Sequence, residues 1–347
     1  MAYTTINKST DHFNTVNWTG TSSSPVNVTG FGHNPDIIWN KYAGGAGDHQ
    51  LYDAVRTATK MIVPNSQNAE STNSNGVTAF ISDGFTAGSD INVNGGASIA
   101  WGWKANGAGS ANTDGSINTT ATSVNTTAGI SICKYTGTGA NGTVGHGLSS
   151  APRLIIFKNL DTSTAWDVFF HNVGQGRRLF LDQSVSFNTA TNYMNDTYPT
   201  STVFSVGNAD NTNKSGSPMI AYCFTDVVGF SRISAWTGNS DANNGPFVYT
   251  GFRPAFILSK NQNRNENWLI HDNKNDTLNP VTKKLSPNDN SAQSDNTAFS
   301  IDFLSNGFKV RTSDGNMSRD NGAGNFIYMA FAEQPGVTPF DTFPNAK

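Results

Sequence analysis

Charged residues are scarce in this chain of 347 residues, where they make up 14% of the sequence. The 22 lysines and arginines nearly balance the 25 aspartates and glutamates, and the net charge is −3. Recognition of a nucleic-acid backbone needs a concentrated stripe of positive charge. Because the basic residues here are scattered, the sequence predicts no nucleic-acid partner.

Cysteines and long apolar runs are also rare. Cys133 and Cys223 are too few for a disulfide framework, and we expect both as buried thiols in a reducing cytosol. No apolar stretch approaches the roughly 20 residues that cross a bilayer. The opening "MAYTTINKSTDHF" has neither the basic start nor the apolar core of a signal peptide. We therefore expect synthesis in a cytoplasm without membrane insertion.

Glycine and small polar residues are abundant instead. The chain has 34 glycines, and asparagine, serine and threonine crowd the segments between short apolar runs. This mixture favours turns and strands over helices. With 22 phenylalanines, nine tyrosines and seven tryptophans, the sequence also has enough large apolar side chains for several cores. The composition predicts an all-β fold.

Three apolar runs share one spacing: "NPDIIWNK", "APRLIIFK" and "RPAFILSK". In each, a lysine follows a proline by six positions, and a ring follows the proline by fourteen. The prolines and lysines are Pro35 and Lys41, Pro152 and Lys158, and Pro254 and Lys260; the rings are His49, Trp166 and Trp268. Because this spacing recurs three times in register, it indicates internal duplication.

The similarity extends to a preceding aromatic-Thr-Gly strand and to closing strands "SIAWGWK", "MIAYCFT" and "FIYMAFA". We therefore predict three tandem repeats of a β-sandwich or jelly-roll-like module. They cover residues 1–106, 129–229 and 230–336, with a polar linker or edge strand at 107–128 and a tail at 337–347. Both faces of the proline-led strands should be covered, so the repeats should pack together, in a rod or in a compact body.

The recurring aromatic residues are expected in the cores, although exposed tryptophans could stack on sugar rings. Lys41, Lys158 and Lys260 each close a buried strand, and we expect them to mark where that strand reaches solvent. A role in contacts between subunits is the alternative.

Asp90, Asn92 and Asn94 match the opening of a calcium loop, and they are weak calcium candidates. The twelfth position is Trp101 where such a loop has a bidentate glutamate. Short aspartate and asparagine side chains also satisfy their own backbone in turns between strands. We favour that structural interpretation and predict no metal.

No catalytic set stands out. Residues 137–142 have the spacing of a dinucleotide loop but continue into a strand, so a hairpin is favoured and no cofactor is predicted. The six histidines lack ligand spacing. Carboxylates recur at Asp53 and Asp272, but the equivalent residue of the second repeat is Phe170. That position is therefore interpreted as structural, and no enzyme is predicted.

Several stretches resemble a family of virion structural proteins of marine tailed bacteriophages, especially cyanophages. They include "SDGFTAGSD", "AWGWKANG", "NTDGSINT", "TVGHGL", "NGPFVYTGFRPAF" and "DFLSNGFKVR", in the same order over almost the whole chain. The resemblance implies a tail, fibre or head-decoration protein of the virion that assembles with itself and with other virion proteins. A trimer would be one such assembly.

Two alternatives remain open. The protein could be a receptor-binding module that recognises host cell-surface glycan through aromatic and amide side chains. A loop cluster of aromatic residues outside the repeat pattern would favour this function, and "TATNYMNDTYPT" around Tyr193 is a weak example. The other alternative is a polysaccharide depolymerase that uses paired carboxylates.

Overall fold

The computed structural model describes residues 4–21, 23–319 and 325–333. Strands account for 42% of the protein and helices for 3%, and the strands form several antiparallel sheets. The predicted all-β fold is confirmed. The described helices are single turns, at Ser9–Asp11, Asp210–Asn213 and Thr297–Phe299. None of them has the length or apolar character needed to cross a membrane.

Segment 1, residues 4–106, has an inner sheet of four strands and an outer sheet of three. The inner order is β1 (Phe13–Thr19), β9 (Ala97–Trp103), β3 (Ile37–Tyr42) and β4 (Gln50–Asp53). The outer order is β2 (Val26–Thr29), β8 (Gly84–Ala87) and β7 (Val77–Ile81). A short ribbon joins β5 (Lys60–Met61) to β6 (Ser71–Thr72).

Segment 2, residues 107–229, has a larger inner sheet of seven strands. Its order is β10 (Thr119–Asn125), β11 (Ile130–Thr136), β18 (Pro218–Phe224), β13 (Leu154–Asn159), β14 (Asp167–Phe170), β15 (Arg177–Phe180) and β16 (Asn188–Thr189). Its outer sheet pairs β12 (Gly142–Gly145) with β17 (Val203–Val206). For residues 107–128 the sequence predicted a polar linker or an edge strand, and β10 within them is an edge strand of this sheet.

Segment 3, residues 230–333, returns to the arrangement of segment 1. The inner order is β19 (Ser231–Thr237), β27 (Asn325–Ala332), β21 (Pro254–Asn261) and β22 (Leu269–Asp272). The outer order is β20 (Phe247–Tyr249), β26 (Gly307–Val310) and β25 (Ile301–Leu304). A ribbon pairs β23 (Lys283–Lys284) with β24 (Ser294–Asp295). The predicted tail lies outside the described residues.

The three segments agree in strand order and in register. Each inner sheet contains the run first strand, closing strand, proline-led strand, next strand. The residue two positions after each proline faces the same position of the closing strand, as in the pair Ile37 and Trp103 and the pair Leu154 and Phe224. The three prolines are all buried. Descent of the segments from one duplicated sandwich module remains a prediction.

Each inner sheet is covered on both faces, which explains why its proline-led strand is an almost unbroken apolar run. One face packs on the outer sheet of the same segment and encloses a separate core in each segment. The other faces meet in one large core to which all three segments contribute. The segments therefore close around a common centre as a compact body.

Candidate functional site

Three equivalent rings meet at the centre of the shared core. Trp103, Phe224 and Phe331 occupy the same position of the three closing strands. Their ring centroids are 6.4, 5.9 and 6.4 Å apart, and every pair is edge to face with interplanar angles of 66–69°. This mutual contact defines a pseudo-threefold axis. Aromatic pairs in this geometry stabilise a core beyond the area that they bury.

Lys41, Lys158 and Lys260 are buried, with exposed fractions of 1%, 0% and 0%. The expectation that they mark the exit of a strand into solvent is therefore wrong. The sequence shows a lysine at the end of an apolar run, but it does not show that a neighbouring segment covers that end. Burial lowers the pKa of Lys41 and Lys158 to about 8 and that of Lys260 to about 7.

Each of these lysines donates hydrogen bonds to backbone carbonyls of its own segment and of one neighbour. Lys41 Nζ lies 3.4 Å from the carbonyl oxygen of Asn290, in segment 3. Lys158 Nζ lies 2.9 Å from that of Gln67, in segment 1, and Lys260 Nζ lies 3.1 Å from that of Ser184, in segment 2. Segment 1 thus contacts 3, segment 2 contacts 1, and segment 3 contacts 2. The ring of lysine contacts is closed.

The ring positions repeat this pattern of contacts. Trp166 Nε1 donates to the carbonyls of Val63 and Ser66 in segment 1, at 3.1 and 3.0 Å. Trp268 Nε1 donates to the carbonyl of Phe180 in segment 2, at 2.7 Å. These two indoles connect neighbouring segments in the same direction as the lysines, and both are buried in the shared core as the recurrence predicts.

His49 occupies the third ring position. Its Nδ1 accepts a hydrogen bond from Trp39 Nε1 at 3.0 Å, which places the ring proton on Nε2. Burial lowers the pKa of His49 to about 3, so the imidazole is neutral at physiological pH. A neutral, fully buried imidazole in contact with an indole fills the position that tryptophan fills in the other segments.

The recurring carboxylates also lie between segments. Tyr222 in segment 2 donates its hydroxyl proton to Asp53 in segment 1 at 2.6 Å, and Trp101 in segment 1 donates to Asp272 in segment 3 at 3.3 Å. Burial raises the pKa of Asp272 to about 6. Phe170 stands at the third position, and it belongs to the same core cluster as the apolar side chain Met329, the counterpart of Tyr222 and Trp101.

Asp53 belongs to a buried ionic cluster. Arg56 Nε lies 2.5 Å from Asp53 Oδ2, Arg56 Nη1 lies 3.2 Å from Glu70 Oε2, and the Arg56 side chain is 0% exposed. Arg56 Nη2 also donates to the carbonyl of Leu51 at 3.2 Å. The nearby carboxylates raise the pKa of Arg56 against the effect of burial. The cluster is built within segment 1, and the hydroxyl of Tyr222 joins it to segment 2 through Asp53.

The calcium candidates lie in a turn between strands. Asn92 is 4% exposed, and its Nδ2 donates to the carbonyls of Thr21 and Ser23 at 3.1 and 2.6 Å, while its Oδ1 accepts from the backbone N–H of Thr21. Asp90 and Asn94 are exposed on either side. The Asn92 amide therefore holds the loop together, and the absence of a metal at these weak calcium candidates remains a prediction.

The described ranges contain no group of three or more histidine, cysteine, aspartate or glutamate side chains placed to hold a metal ion. Cys133 and Cys223 are buried and free, on the adjacent strands β11 and β18. Burial raises the pKa of the Cys223 thiol well above its usual value. A buried thiol of this kind is a poor nucleophile, because the thiolate is the reactive form.

An open groove of about 520 Å³ lies between segments 1 and 3. Asn17 and Thr19 line one side, and Lys283 and Gln293 line the other. Trp18 lies between the first two residues, but its ring packs against Phe85 in the outer core of segment 1, on the opposite face of β1. Trp18 is the one aromatic residue of the described lining, and small apolar residues such as Ala43 and Ala292 accompany the polar ones.

The exposed aromatic residues lie only partly where the sequence indicated. Tyr193 is fully buried and donates its hydroxyl proton to the carbonyl of Arg177, so it contributes no exposed ring. Tyr198, in the same stretch, is 43% exposed. Phe247 and Tyr249 in segment 3 are 48% and 58% exposed, and the sequence analysis did not single them out. Comparison of the three outer sheets would have found them.

The fold defines an all-β protein in which three sheets surround a common core. The sequence matches the family DUF7483, described as a domain of unknown function, over residues 8–335. The chain belongs to that family. Comparison with curated proteins gives no match, and comparison with solved structures gives none.

Proposed function

We propose that this protein is a non-enzymatic structural component of a bacteriophage virion, on the tail or fibre or as a head decoration. It assembles with copies of itself and with other virion proteins. The observation that carries the proposal is the closed ring of contacts in which Lys41, Lys158 and Lys260 each donate to the backbone of the neighbouring segment. The resemblance of the sequence to phage structural proteins supports the same role.

The closed ring matters because a buried amine is costly once it loses its acceptors. Opening any one boundary would remove the carbonyl that the neighbouring segment supplies to its lysine, at about 1–3 kcal/mol for each group that stays buried without a partner. The segment on the far side of the opening would remain attached through the other two boundaries. Such a body resists local unfolding, which a particle exposed to the environment requires.

The surface of the body suits assembly. The outer sheets face away from the shared core on three sides, so one chain presents three broad faces to its neighbours. The chain has little net charge to oppose close packing of copies, since its formal charge is −3. Specific protein contacts typically need about 800 Å² from each partner, and an exposed sheet with its loops can supply such an area.

The proposal is tested by deleting the gene from the phage that encodes this chain. Mass spectrometry of purified wild-type particles should detect the protein at a fixed stoichiometry. Negative-stain images of the deletion particles should lack a tail or head feature, and a plasmid copy of the gene should restore it. Particles that are intact, infectious and unchanged without the protein would overturn the proposal.

A further inference from the structure

The outer sheet of segment 3 carries an aromatic pair that the other segments lack. Phe247 and Tyr249 flank the buried Val248 on the edge strand β20, so both rings are on the solvent face. In segment 1 the equivalent positions around the buried Val28 are Asn27 and Thr29. The pair is therefore not required by the outer sheet, because segment 1 builds the same sheet with small polar residues.

Segment 2 supports the same conclusion. Its outer sheet also has a buried valine, Val144, opposite a phenylalanine, as the other two outer sheets have. The residues on either side of Val144 are Thr143 and Gly145. Segments 1 and 2 thus have no large apolar side chain on either side of the buried valine. Their outer sheets form without such side chains, so the two exposed rings of segment 3 are not needed to form its sheet.

The sheet beneath the pair holds one of the rings in place. Gly307 is the cross-strand partner of Tyr249 on β26, and a Cβ atom at position 307 would be 3.1 Å from two carbon atoms of the Phe247 ring, which reaches across to it. The ring therefore lies close against the strand, with its free surface to solvent. Residues i and i+2 of a strand are about 7 Å apart and point to the same face, so the two rings form a short row along β20.

Polar groups border this row. Lys309 is the cross-strand partner of Phe247, and Asp302 is the next residue in the same row of the sheet. Asn306 lies at the end of β20, where its carbonyl accepts from the backbone N–H of Thr250. Amide, ammonium and carboxylate groups around two apolar ring faces can bind hydroxyl groups while the rings contact C–H surfaces.

The area of the row decides between kinds of partner. A Phe or Tyr side chain buries about 150–250 Å² when fully enclosed, so rings that are about half exposed offer roughly 200 Å² together. A stable protein contact needs about 800 Å² from each side. The row is too small to anchor a protein by itself, but it matches a ligand of a few rings.

From these observations we propose that Phe247 and Tyr249 form a binding platform for a saccharide, with consecutive sugar rings stacked on the two side chains and hydroxyl groups bound by the bordering polar residues. The proposal does not depend on the role of the protein in a particle. It locates the recognition of a glycan on segment 3 alone.

The test uses the full chain and an array of oligosaccharides of four or more units, neutral in one set and containing uronic acids in the other. The best ligand is then titrated by calorimetry. Replacing both rings, F247A with Y249A, should weaken binding at least tenfold. The matched control, N27A with T29A on segment 1, and the conservative change F247Y should each leave affinity within about threefold, because the stacking surface on segment 3 remains.

Urea unfolding of every variant checks that the outer sheet is intact. Absence of binding by the wild-type chain at about 1 mM saccharide would overturn the proposal. So would equal binding by the wild-type chain and the variant without the two rings. If the double substitution instead abolishes self-association in sedimentation experiments while no saccharide binds, the rings belong to a contact between copies and the saccharide proposal is wrong.

Discussion

The shared core and the solvent faces of the outer sheets differ in how the three segments use equivalent positions. At the core, Trp103, Phe224 and Phe331 are all aromatic and contact one another. On the outer faces, Phe247 has Asn27 as its counterpart. Core positions are constrained by each other's volume, whereas an outward position has fewer neighbours and can change with less effect on them. The outer faces are therefore where the segments can acquire separate functions.

The equivalent positions 53, 170 and 272 show that a core residue is constrained by its partner in the neighbouring segment. Asp53 and Asp272 each face a donor from the neighbouring segment, and Phe170 shares its cluster with the apolar Met329. A buried carboxylate needs a donor, and a buried ring needs an apolar neighbour. The chemistry of one segment is thus matched to that of the next.

The largest effect should come from mismatching this pair. F170D would remove a buried ring and bury a carboxyl group beside Met329, which should lower the free energy of unfolding by about 5 kcal/mol. Adding M329Y supplies a hydroxyl donor and should restore at least about 1 kcal/mol. Urea denaturation of both variants measures this difference. A double variant no more stable than F170D would show that segments 2 and 3 do not pair as the other segments do.

The next largest effect concerns the buried ion pair of Arg56 and Asp53. R56A should lower the free energy of unfolding by about 4 kcal/mol, because Asp53 would stay buried without its cation. The control is R232A, whose partner Asp226 lies at 3.4 Å and whose side chain is 46% exposed. That change should cost less than about 1 kcal/mol. Similar losses in the two variants would contradict the distinction between core and surface.

A smaller effect is expected from the lysine contacts. K260M keeps the volume of the side chain but removes the ammonium that donates to the carbonyls of Ser184, Asn261 and Arg264. The free energy of unfolding should fall by about 2 kcal/mol at pH 7. Thermal and urea unfolding at that pH provide the measurement, and the control is K309M, which changes a half-buried lysine on the outer sheet.

The pH dependence of the same variant tests the burial of the amine. The pKa of Lys260 is about 7 in the folded protein, whereas its ordinary value, expected in the unfolded chain, is 10.5. Between pH 7 and 10.5 the unfolded chain therefore binds more protons than the folded protein. The stability that this group contributes is therefore complete above pH 10.5 and is lost as the pH falls through 7. Between pH 7 and 9.5, wild-type stability should rise more steeply than that of K260M. Parallel profiles would indicate a solvated amine.

The smallest effect on stability should come from the outer faces. Substituting N27F with T29Y copies the segment 3 residues onto segment 1 and should change the free energy of unfolding by less than about 0.5 kcal/mol. If the aromatic row is sufficient for binding, calorimetry should show a second, weaker saccharide site. A loss of several kcal/mol would mean that the outer faces are constrained as strongly as the core.

Local spacing in the sequence predicted the strands and their equivalence well. The interval from proline to lysine predicted which strands correspond, and the unbroken apolar runs predicted that both strand faces are covered. It failed for Lys41, Lys158 and Lys260, which were assigned to the solvent boundary. Their carbonyl partners in the neighbouring segments lie at least 76 residues away in the chain, as the separation of Lys260 and Ser184 shows, and no local pattern encodes such a contact.

The same limit applies to exposure of single rings. Tyr193 follows small polar residues and Tyr249 follows an apolar pair in sequence, yet the first is buried and the second is 58% exposed. Strand alternation predicts that neighbouring residues of β20 lie on opposite faces of the sheet. It does not predict which of the two faces the rest of the molecule covers.

By itself the sequence determined an all-β chain with three equivalent runs, because turn residues and apolar periodicity act over a few positions. The tertiary structure decided that the three inner faces close on one another, that the lysines and carboxylates join neighbouring segments, and that two rings on segment 3 stay at the surface. Burial depends on contacts between residues far apart in the chain, and only the folded body brings those residues together.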